Sequence, residues 1–457
     1  MRNLKTKARL PDYRQCKYLQ IKLPNKVRDW SHGSELSVHT DSRDVGELIQ
    51  HIDQFNRKKA WRWPHKRHFF FSDLHADAHA FVDSLVASGG VRRTGISLTD
   101  FALTPVGEKA VFVIGGDCFD KGPSSLQLLR TIRFLIEVGA KVQILAGNHD
   151  VRVLLGMTAV DHQPDVYNEH FFIRTGPKII PLLKEIIDEY VDKDDLKKVP
   201  DKKTARQCLL PRDAWFEEFP RVAKDYLSTA QIERELDRVG KKVARFEKVL
   251  QKNGLNLRQV CAAAYKWQDL FLKPDGEFYW FYKRMRLVLK SGSLLFVHAG
   301  LDNESARRLC HEGVHALNKD FRKSLRKKPF DFYYGALCNM IRTKYRKVDR
   351  RLSSQGTRFI RRAGFTAIIH GHRNLYHGQR MALRKGLLSF ECDVTVDCHS
   401  RHKEGLKGPG GGVTIIEPQG YILGISTDYP FAKFFHPELT LRQLHKINPK
   451  LRKTAAS

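Results

Sequence analysis

The stretch VFVIGGDCFD, residues 111–120, joins an apolar run to two glycines and an aspartate. Four consecutive apolar residues are typical of a short strand that is covered on both faces of a sheet. The two glycines allow the backbone to turn tightly, which would bring the carboxylate of Asp117 close to a bound ion. The stretch therefore predicts a buried strand with a metal-type residue at its carboxyl end.

Four more apolar runs end in the same way: 68–71 before Asp73, 141–146 before Gly147-Asn148, 293–297 before His298, and 365–369 before His370-Gly371-His372. The segment 124–138 has the apolar spacing of one helix face. Alternating strands and helices indicate an α/β core with helices on both faces of a sheet. Later runs at 387–391, 413–416 and 421–425 have no helices between them, so we expect a second, mixed sheet and a layered sandwich.

The spacing of the strand ends indicates how the chain is organised. Asn148 and His298 lie 150 positions apart, which is far too long for one crossover. We therefore expect a helical insertion or cap between them. The predicted units are a basic N-terminal extension (1–66), the first half of the core (67–176), the helical insertion (177–290), the second half of the core (291–430) and a C-terminal tail (431–457).

The net charge is the one extreme property of the composition. Among 457 residues, 80 Lys+Arg and 50 Asp+Glu give a formal charge of +30. This excess predicts attraction to polyanions but identifies no partner.

A hydrophobic content of 42% excludes a wholly disordered chain, and no apolar stretch approaches the ~20 residues that span a bilayer. Scattered cysteines without a C-x-x-C pair, and no apolar core of a signal peptide, predict a cytoplasmic protein.

The side chains at the strand ends form a set of nitrogen and oxygen donors, namely Asp73, His75, Asp117, Asn148, His298 and His372. Such a set suits Mn, Fe or Zn better than calcium. Six ligands are too many for one tetrahedral zinc, but they suit two divalent ions bridged by a shared carboxylate. Two ions ~3.5–4 Å apart clamp a phosphate and generate a hydroxide nucleophile at neutral pH. The sequence therefore predicts hydrolysis of a phosphoester.

The motifs that carry these residues resemble those of the calcineurin-like metallophosphoesterases. Asp73-Leu74-His75, Gly116-Asp117-Cys118-Phe119-Asp120, Gly147-Asn148-His149-Asp150, His298-Ala299-Gly300 and Gly371-His372 look like the ordered motifs D-x-H, G-D-x-x-D, G-N-H-D/E, H-A/G-G and G-H. The resemblance covers 69–425 apart from the insertion, and it is closest to bacterial members of the phosphoprotein-phosphatase branch. It implies a β-sandwich of mixed sheets flanked by helices.

The resemblance also implies a role for each matched residue. Asp73 and His75 would hold the first metal, Asp117 would bridge both, and Asn148, His298 and His372 would hold the second. His149 would be the general acid, and Asp120 would orient it. The nucleophile would be a metal-bridging hydroxide, with no covalent phosphoenzyme.

Some positions depart from the pattern of that branch. Lys121 follows the G-D-x-x-D motif where the branch usually has arginine, and Ala146 precedes G-N-H where it often has arginine. Lysine neutralises a phosphate as a point charge, without the two-pronged grip of a guanidinium. Arg342 resembles an arginine of the bacterial relatives, so Lys121 and Arg342 are the predicted phosphate-binding residues. Asn374 replaces the second histidine of the G-H-x-H motif of many phosphodiesterases, which favours the phosphatase branch.

Three further features allow more than one interpretation. The aromatic and basic stretch 58–68 could stack on nucleic-acid bases or pack as an N-terminal strap. The basic region 319–351 is either a solvated helix face or a binding surface. Asp393 and Asp397 alternate with apolar residues, so we expect them to cap a strand rather than to bind metal.

The leading hypothesis is a phosphomonoesterase that acts on a phosphoprotein or a small phosphorylated substrate. The first alternative is a hydrolase of nucleotides, dinucleoside polyphosphates or nucleic-acid ends, since the basic surface could attract nucleic acid. The second alternative is a non-enzymatic nucleic-acid-binding protein on a phosphatase scaffold. The complete donor set argues against that last alternative, because a decayed site would be expected to lose ligands first.

Overall fold

The computed structural model describes residues 8–13, 17–30, 38–40, 45–160 and 165–447. Its strands are β1 Val27–Asp29, β2 Val38–Thr40, β3 His68–Phe71, β4 Val91–Arg93, β5 Phe101–Leu103, β6 Val111–Ile114, β7 Lys141–Leu145, β8 Met285–Arg286, β9 Val288–Ser291, β10 Leu294–Val297, β11 Ala367–His370, β12 Arg380–Arg384, β13 Leu387–Glu391, β14 Gly412–Glu417, β15 Tyr421–Ser426 and β16 Ala432–Phe435. The predicted strands are therefore confirmed, with small shifts at their ends.

The helices are α1 Val45–Arg57, α2 Ala78–Ala87, α3 Pro105–Lys109, α4 Ser125–Glu137, α5 Asn148–Ala159, α6 Phe171–Thr175, α7 Ile180–Tyr190, α8 Lys193–Lys198, α9 Lys202–Leu209, α10 Trp215–Ala223, α11 Thr229–Lys252, α12 Leu257–Leu272, α13 Tyr279–Arg284, α14 Asn303–Lys327, α15 Pro329–Tyr334, α16 Ala336–Asn339, α17 Ser354–Arg362, α18 Cys398–Lys403 and α19 Pro437–Ile447. A 3₁₀ turn, Gly176–Ile179, follows α6. The predicted helix at 124–138 is α4.

Two mixed sheets form the core. The larger has the order β1-β16-β15-β14-β3-β6-β7-β8, and the smaller has the order β2-β12-β13-β11-β10-β9. Within the larger sheet β3, β6 and β7 are parallel neighbours, and within the smaller one β10 and β11 are parallel neighbours. The five strand ends that carry the donor residues therefore belong to two sheets, and the expected layered sandwich is confirmed. The expectation that the later runs form the second sheet is wrong for β14 and β15, because β14 pairs with β3 in the larger sheet; β13 alone of the three lies in the smaller sheet.

Both faces of strand β3 are buried, which explains why its sequence is apolar at every position rather than at alternate ones. Phe70 points between the two sheets, where its ring lies 5.9 Å from that of Phe296. Phe69 points to the opposite face and packs 5.1 Å from Phe112, in the core beneath the helices. Successive residues of a strand face opposite sides, so a strand covered on both faces needs apolar residues at every position. The α/β fold class is confirmed.

The segment 177–290 is helical over most of its length, from α7 to α13, and it returns to the larger sheet through β8. Helix α12 packs against α5 and α7, so the insertion is joined to the core. The division of the chain into the five predicted units remains a prediction. In the part of the chain that the structure describes, no helix combines the length and the hydropathy that a membrane span requires.

The aromatic and basic stretch before β3 packs as a strap. Trp61 stacks on Trp63, with ring centroids 5.5 Å apart, and its ring lies 5.6 Å from that of Phe435 in β16. The backbone N–H of Arg62 donates to Ser293 at 3.0 Å. Strand β1 also pairs with β16, and α1 packs on α19, so both ends of the described chain contact the same side of the core.

A buried ionic cluster fixes the end of β13. The carboxylate of Glu391 is fully buried and accepts from Arg373 at 3.0 Å and from Arg380 and Arg384 at 2.5 Å each. Burial alone would raise the pKa of Glu391, but the charges of His370 and the three arginines outweigh it and lower that pKa to about 2.

We expect Glu391→Gln to lower the free energy of unfolding by about 3–5 kcal/mol, because it leaves three guanidinium groups without their shared carboxylate. The ionised glutamate stabilises the fold above about pH 4.5, and this contribution is lost as the pH falls towards 2. Urea titration at pH 7 measures the effect. The matched control is Glu304→Gln, which removes an exposed partner of Arg350 and should cost under ~1 kcal/mol. Equal losses in the two variants would contradict the prediction.

Candidate metal centre

All six predicted metal ligands lie at the same edge of the sandwich. Asp73 and His75 follow β3, Asp117 follows β6, Asn148 begins α5 after β7, His298 follows β10, and His372 follows β11. Parallel neighbours end at the same edge of a sheet, and the two packed sheets bring these ends together. The edge therefore presents three histidines, two aspartates and an asparagine to one small volume.

One subset of these donors is closely packed. Single ligand atoms of Asp73, Asp117, His298 and His372 all lie within 4.8 Å of one another. His298 Nε2 lies 3.4 Å from Asp117 Oδ2, and 3.2 Å from both Asn148 Oδ1 and His372 Nδ1. Ligands bound to one ion at about 2.1 Å are themselves separated by roughly 3–3.4 Å. These distances fit a shared divalent ion.

His75 lies on the other side of Asp117. Its Nε2 is 3.9 Å from Asp117 Oδ2 and 4.0 Å from Asp73 Oδ1. Its Nδ1 lies 3.1 Å from the carbonyl oxygen of Phe119, an acceptor that places the proton on Nδ1 and leaves the lone pair on Nε2. In this structure Lys121 Nζ lies 2.7 Å from that Nε2. Asp117 therefore stands between two groups of donors, as a bridging carboxylate would.

The electrostatics of the centre favour a cation. Burial disfavours the charged form of His298, but the carboxylate of Asp117 outweighs it and raises the pKa of His298 to about 10. Burial opposes ionisation of Asp117 as well, yet the charges of His298 and His149 hold its pKa well below the usual range. The buried Asp117 carboxylate thus attracts positive charge, which a divalent ion would supply.

The backbone at the ligands is strained. Asp73, His75, Asp117 and His372 have φ angles of 56°, 43°, 58° and 68°, in the left-handed region that non-glycine residues rarely adopt. Such residues cost about 1–3 kcal/mol each and cluster at functional sites. The strain is retained because it turns these side chains towards a common point.

Two glycines permit the close approach of the loops. A Cβ on Gly371 would lie 1.7 Å from the Ser72 hydroxyl oxygen, and a Cβ on Gly147 would lie 2.0 Å from the backbone nitrogen of Asp117. Both distances are far below contact, so no larger residue fits at either position.

His149 and Asp120 form a pair beside the donors. The Nδ1 of His149 lies 2.6 Å from Asp120 Oδ2, and its Nε2 lies 3.9 Å from Asp117 Oδ2. The backbone N–H of His149 donates to Asp117 Oδ1 at 2.8 Å. A carboxylate that accepts from Nδ1 fixes the imidazole and directs Nε2 towards the donor cluster.

The two predicted phosphate-binding residues also border the centre. Lys121 Nζ lies 2.7 Å from His75 Nε2. The carbonyl oxygen of Arg342 accepts from His372 Nε2 at 3.1 Å, which leaves Nδ1 of that ring facing the donors. The guanidinium of Arg342 lies 5.4 Å from the ring centroid of Tyr333, and among the described residues it has no carboxylate partner.

The sequence analysis gave no role to Asp150, although this residue ends the G-N-H-D motif. Its carboxylate accepts from the backbone N–H groups of Asp117 at 2.9 Å, Cys118 at 2.7 Å, Phe119 at 3.3 Å and Gly147 at 3.0 Å. It therefore fixes the two loops that carry Asp117 and His149. Four N–H groups that converge on one buried carboxylate leave no signal in the sequence beyond the motif itself.

Asp397 and Asp393 have different environments. Asp397 caps a helix rather than a strand, since its side chain accepts from Ser400 at the start of α18. Asp393 accepts from the N–H of Thr395 at 3.1 Å, while its other oxygen is buried without a hydrogen-bond partner among the described residues. Burial, followed by the charge of Asp73, raises the pKa of Asp393 well above the usual range.

Comparison with known proteins agrees with this geometry. Residues 67–257 match the family model for calcineurin-like phosphoesterases. The matched segment includes the first three motifs, whereas His298 and His372 lie beyond it. No match to a curated protein sequence was found.

Among solved structures, the cold-active protein-tyrosine phosphatase of a psychrophilic Shewanella species aligns over 91% of each chain, at 12% identity and a TM-score of 0.39. A protein serine/threonine phosphatase from Saccharomyces cerevisiae, described as similar to human phosphatase PP5, aligns over 81% of each chain, at 11% identity and a TM-score of 0.34.

Removal of the Asp150 carboxylate should loosen both loops. We expect Asp150→Ala to lower the free energy of unfolding by roughly 3–5 kcal/mol, because it leaves four buried N–H groups without an acceptor. Asp150→Asn keeps one acceptor oxygen and should lose less. Chemical denaturation of the two variants measures the difference, with Asp188→Ala on the exposed face of α7 as a control that should stay within about 0.5 kcal/mol. A loss for Asp150→Ala no larger than that of the control would contradict the assigned role.

Proposed function

We propose that the chain is a calcineurin-like phosphoesterase, as the family match over residues 67–257 supports, and that it hydrolyses phosphate monoesters at the centre around Asp117. The observation that carries this proposal is the convergence of six metal-type donors on one carboxylate, with the His149–Asp120 pair beside them. The buried, negatively charged donor set suits two divalent ions of the Mn, Fe or Zn type. We propose a phosphoprotein or a small phosphorylated molecule as the substrate.

Each donor has a place in this proposal. Asp73 and His75 would hold one ion, Asn148, His298 and His372 would hold the other, and Asp117 would bridge them. When bound, the two ions supply polarisation of the phosphoryl group and activation of a water molecule. The Nδ1 atoms of His298 and His75 lie within hydrogen-bond distance of the carbonyl oxygens of Gly115 and Phe119. These contacts keep the two imidazoles in the orientation that metal binding needs.

His149 is the proposed general acid. In the reaction a bond forms between the water oxygen and phosphorus, and the bond between phosphorus and the ester oxygen breaks. The ester oxygen leaves with a proton from Nε2 of His149. Asp120, 2.6 Å from Nδ1, orients the ring so that Nε2 faces the donors.

Lys121 and Arg342 are the proposed partners of the phosphate oxygens. Lys121 supplies a point charge next to His75, and Arg342 supplies a planar guanidinium from beside His372. The contact with Tyr333 limits the motion of the arginine, so less conformational freedom is lost when a phosphate binds.

The family match and the complete donor set favour an enzyme over the non-enzymatic nucleic-acid-binding alternative. The net charge of +30 is the observation that supports the alternative substrates, which are nucleotides, dinucleoside polyphosphates or nucleic-acid ends. Competition by RNA or DNA at physiological salt would support nucleic acid as the substrate, and an electrostatic interaction should weaken steeply between ~50 and 200 mM salt. A cytoplasmic location and manganese as the metal remain predictions.

Metal loading and activity test the central assignment. The wild-type protein should bind two Mn²⁺ per chain and hydrolyse p-nitrophenyl phosphate, and prefer it over bis-p-nitrophenyl phosphate. Asp117→Asn should bind fewer ions and lose at least about 100-fold in kcat/KM, because it removes the bridging carboxylate. Elemental analysis and steady-state kinetics measure the two effects, with Asp188→Asn as the control. Full activity in Asp117→Asn would rule out the proposed centre.

The leaving group tests the role of His149. His149→Ala should lower kcat by about 10²–10⁴-fold for phenyl phosphate, and by less for p-nitrophenyl phosphate, whose leaving oxygen is less basic and needs the proton less. The ratio of the two losses is the measurement, and Asp120→Asn should show the same trend more weakly. His315→Ala, which changes an exposed histidine, serves as the control. Equal losses for both substrates would show that His149 does not protonate the leaving oxygen.

A further inference from the structure

A cavity with a basic lining lies beside β8, the last strand in the order of the larger sheet. Its volume is about 460 Å³, and strand β7 lines it together with Tyr279, Trp280, Lys283, Arg284, Arg286 and Arg322. These residues belong to α13, β8 and α14. We name this cavity the edge groove. The proposed metal ligands, His149 and Asp120 do not line it, so it is separate from the metal centre.

The charged side chains of the edge groove are all basic. Among the described residues no acidic side chain lines it, and none forms an ion pair with its four cations, Lys283, Arg284, Arg286 and Arg322. By contrast Arg308, on the same helix as Arg322, pairs with Glu312 and Asp320. Like charges that share one cavity repel each other, so this groove is an attractive place for an anion.

The fold holds the cations of the groove in place. The side chain of Asn318 in α14 accepts from the backbone N–H of Leu287 at 2.8 Å, which fixes the helix against the end of β8. Arg322 lies four residues after Asn318 and therefore on the same face of α14. In α13, Lys283 lies four residues after Tyr279, and its Nζ is 5.2 Å from the centroid of that ring. The packing of α14 on β8 thus brings Arg322 to the cations of α13 and β8.

A buried tryptophan in the wall of the edge groove has an unsatisfied donor. Trp280 is 8% exposed, and its indole N–H is buried without a hydrogen-bond acceptor among the described residues. Buried polar groups are normally paired, so an unpaired donor in the lining of a cavity indicates an acceptor on a ligand. Phosphate oxygens and base edges both supply such acceptors.

The basic lining continues beyond the edge groove. Tyr279, Lys283 and Arg322 also line a neighbouring cavity of about 1180 Å³. Its further basic residues are Arg221, Arg326, Lys327 and Lys328, and its acidic residues are Asp165, Asp225 and Asp331. Positive charge therefore extends from β8 along the last turns of α14, which form the first part of the basic region 319–351.

The chemistry of this lining favours an extended polyanion that carries planar rings. A single phosphate would contact one or two of the cations, whereas a chain of phosphates contacts cations of α13, β8 and α14 in succession. Tyr279 is half-buried and lines both cavities, so its ring is accessible to a base. A basic groove with an aromatic ring is typical of proteins that bind single strands. An acidic polypeptide would match the charge but would make no use of the ring.

We propose that the edge groove binds single-stranded nucleic acid, with phosphates on its four cations and a base stacked on Tyr279. This binding activity is separate from hydrolysis at the metal centre and does not depend on the function proposed there. It makes the first part of the region 319–351 a binding surface rather than a solvated helix face. Because phosphates and ring faces are common to all sequences, we expect little dependence on base sequence.

Fluorescence anisotropy with labelled oligouridylate and oligothymidylate strands of about 12 nucleotides tests the phosphate contacts. The triple variant Arg284→Gln/Arg286→Gln/Arg322→Gln should bind at least about tenfold more weakly than the wild type. The slope of log K against log salt should become shallower by about 2, because each phosphate contact of a single strand contributes ~0.7. Lysine at the same three positions keeps the charge and should retain most of the affinity. The two strands distinguish RNA from DNA as the source of the phosphates.

The ring of Tyr279 tests the stacking contact in the same assay. Tyr279→Leu should lower the affinity for the single strand by about tenfold, whereas Tyr279→Phe keeps the ring and should bind as the wild type does. A duplex of equal length should bind the wild type more weakly, because its bases are not free to stack. Polyglutamate is the probe for an acidic polypeptide, and it should compete poorly with the single strand.

A matched control separates the groove from the net charge. Arg238→Gln/Arg245→Gln/Lys248→Gln removes the same charge from exposed positions of α11 and should leave the affinity within about twofold. Equal losses in the two triple variants would overturn the inference, because only the total charge would then matter. Polyglutamate that competes as well as the strand, with no effect of Tyr279→Leu, would also overturn it.

Hydrolysis of p-nitrophenyl phosphate is measured on the same preparations. The strand should bind the groove without needing the metal centre, so equal inhibition of hydrolysis by the strand in the wild type and in the groove variant would place it at the metal centre and overturn the inference. A wild type that does not hydrolyse p-nitrophenyl phosphate would instead reject the proposed function alone, since the anisotropy assay measures the groove independently.

Discussion

The position of the Asp117 carboxylate is the constraint on which the rest of the centre depends. One of its oxygens accepts from the backbone of His149, and the other faces His298 at 3.4 Å and His75 at 3.9 Å. Its own backbone N–H is held by Asp150. A carboxylate that must serve two groups of donors at once tolerates little displacement. The tight glycine turns, the left-handed backbone and the buried cage of N–H groups all serve to keep it in place.

The two-sheet architecture makes this arrangement attainable. Neither sheet alone carries enough donors, because the larger provides the ends of β3, β6 and β7 while the smaller provides those of β10 and β11. The two inner faces pack through aromatic contacts such as Phe70 against Phe296. The apolar core between the sheets therefore fixes the relative position of His298 and His372 with respect to Asp117. Packing determines the geometry of the site as directly as its loops do.

Local patterns predicted the strands and their polar ends well, because burial on both faces leaves a continuous apolar run that ends at glycine, aspartate or histidine. Local patterns did not predict which strands pair with one another. That β10 and β11 lie in a different sheet from β3, and that β1 pairs with β16, depends on contacts between segments far apart in sequence. Asp150 was overlooked for a related reason, since its partners are backbone N–H groups.

The net charge of +30 is also a property that the sequence gives without its spatial arrangement. The sum does not say which basic side chains are paired with acidic ones and which could bind a ligand. Part of the basic surface is neutralised locally, as at Arg130 and Arg308. Arg62 lies in the packed strap before β3, where its guanidinium donates to the carbonyl oxygen of Gly364. Charges that are paired or engaged in this way contribute to the total but offer little to a ligand. Lys121 and Arg342 differ from these residues, because they lie next to His75 and His372 and their side chains have no acidic partner among the described residues.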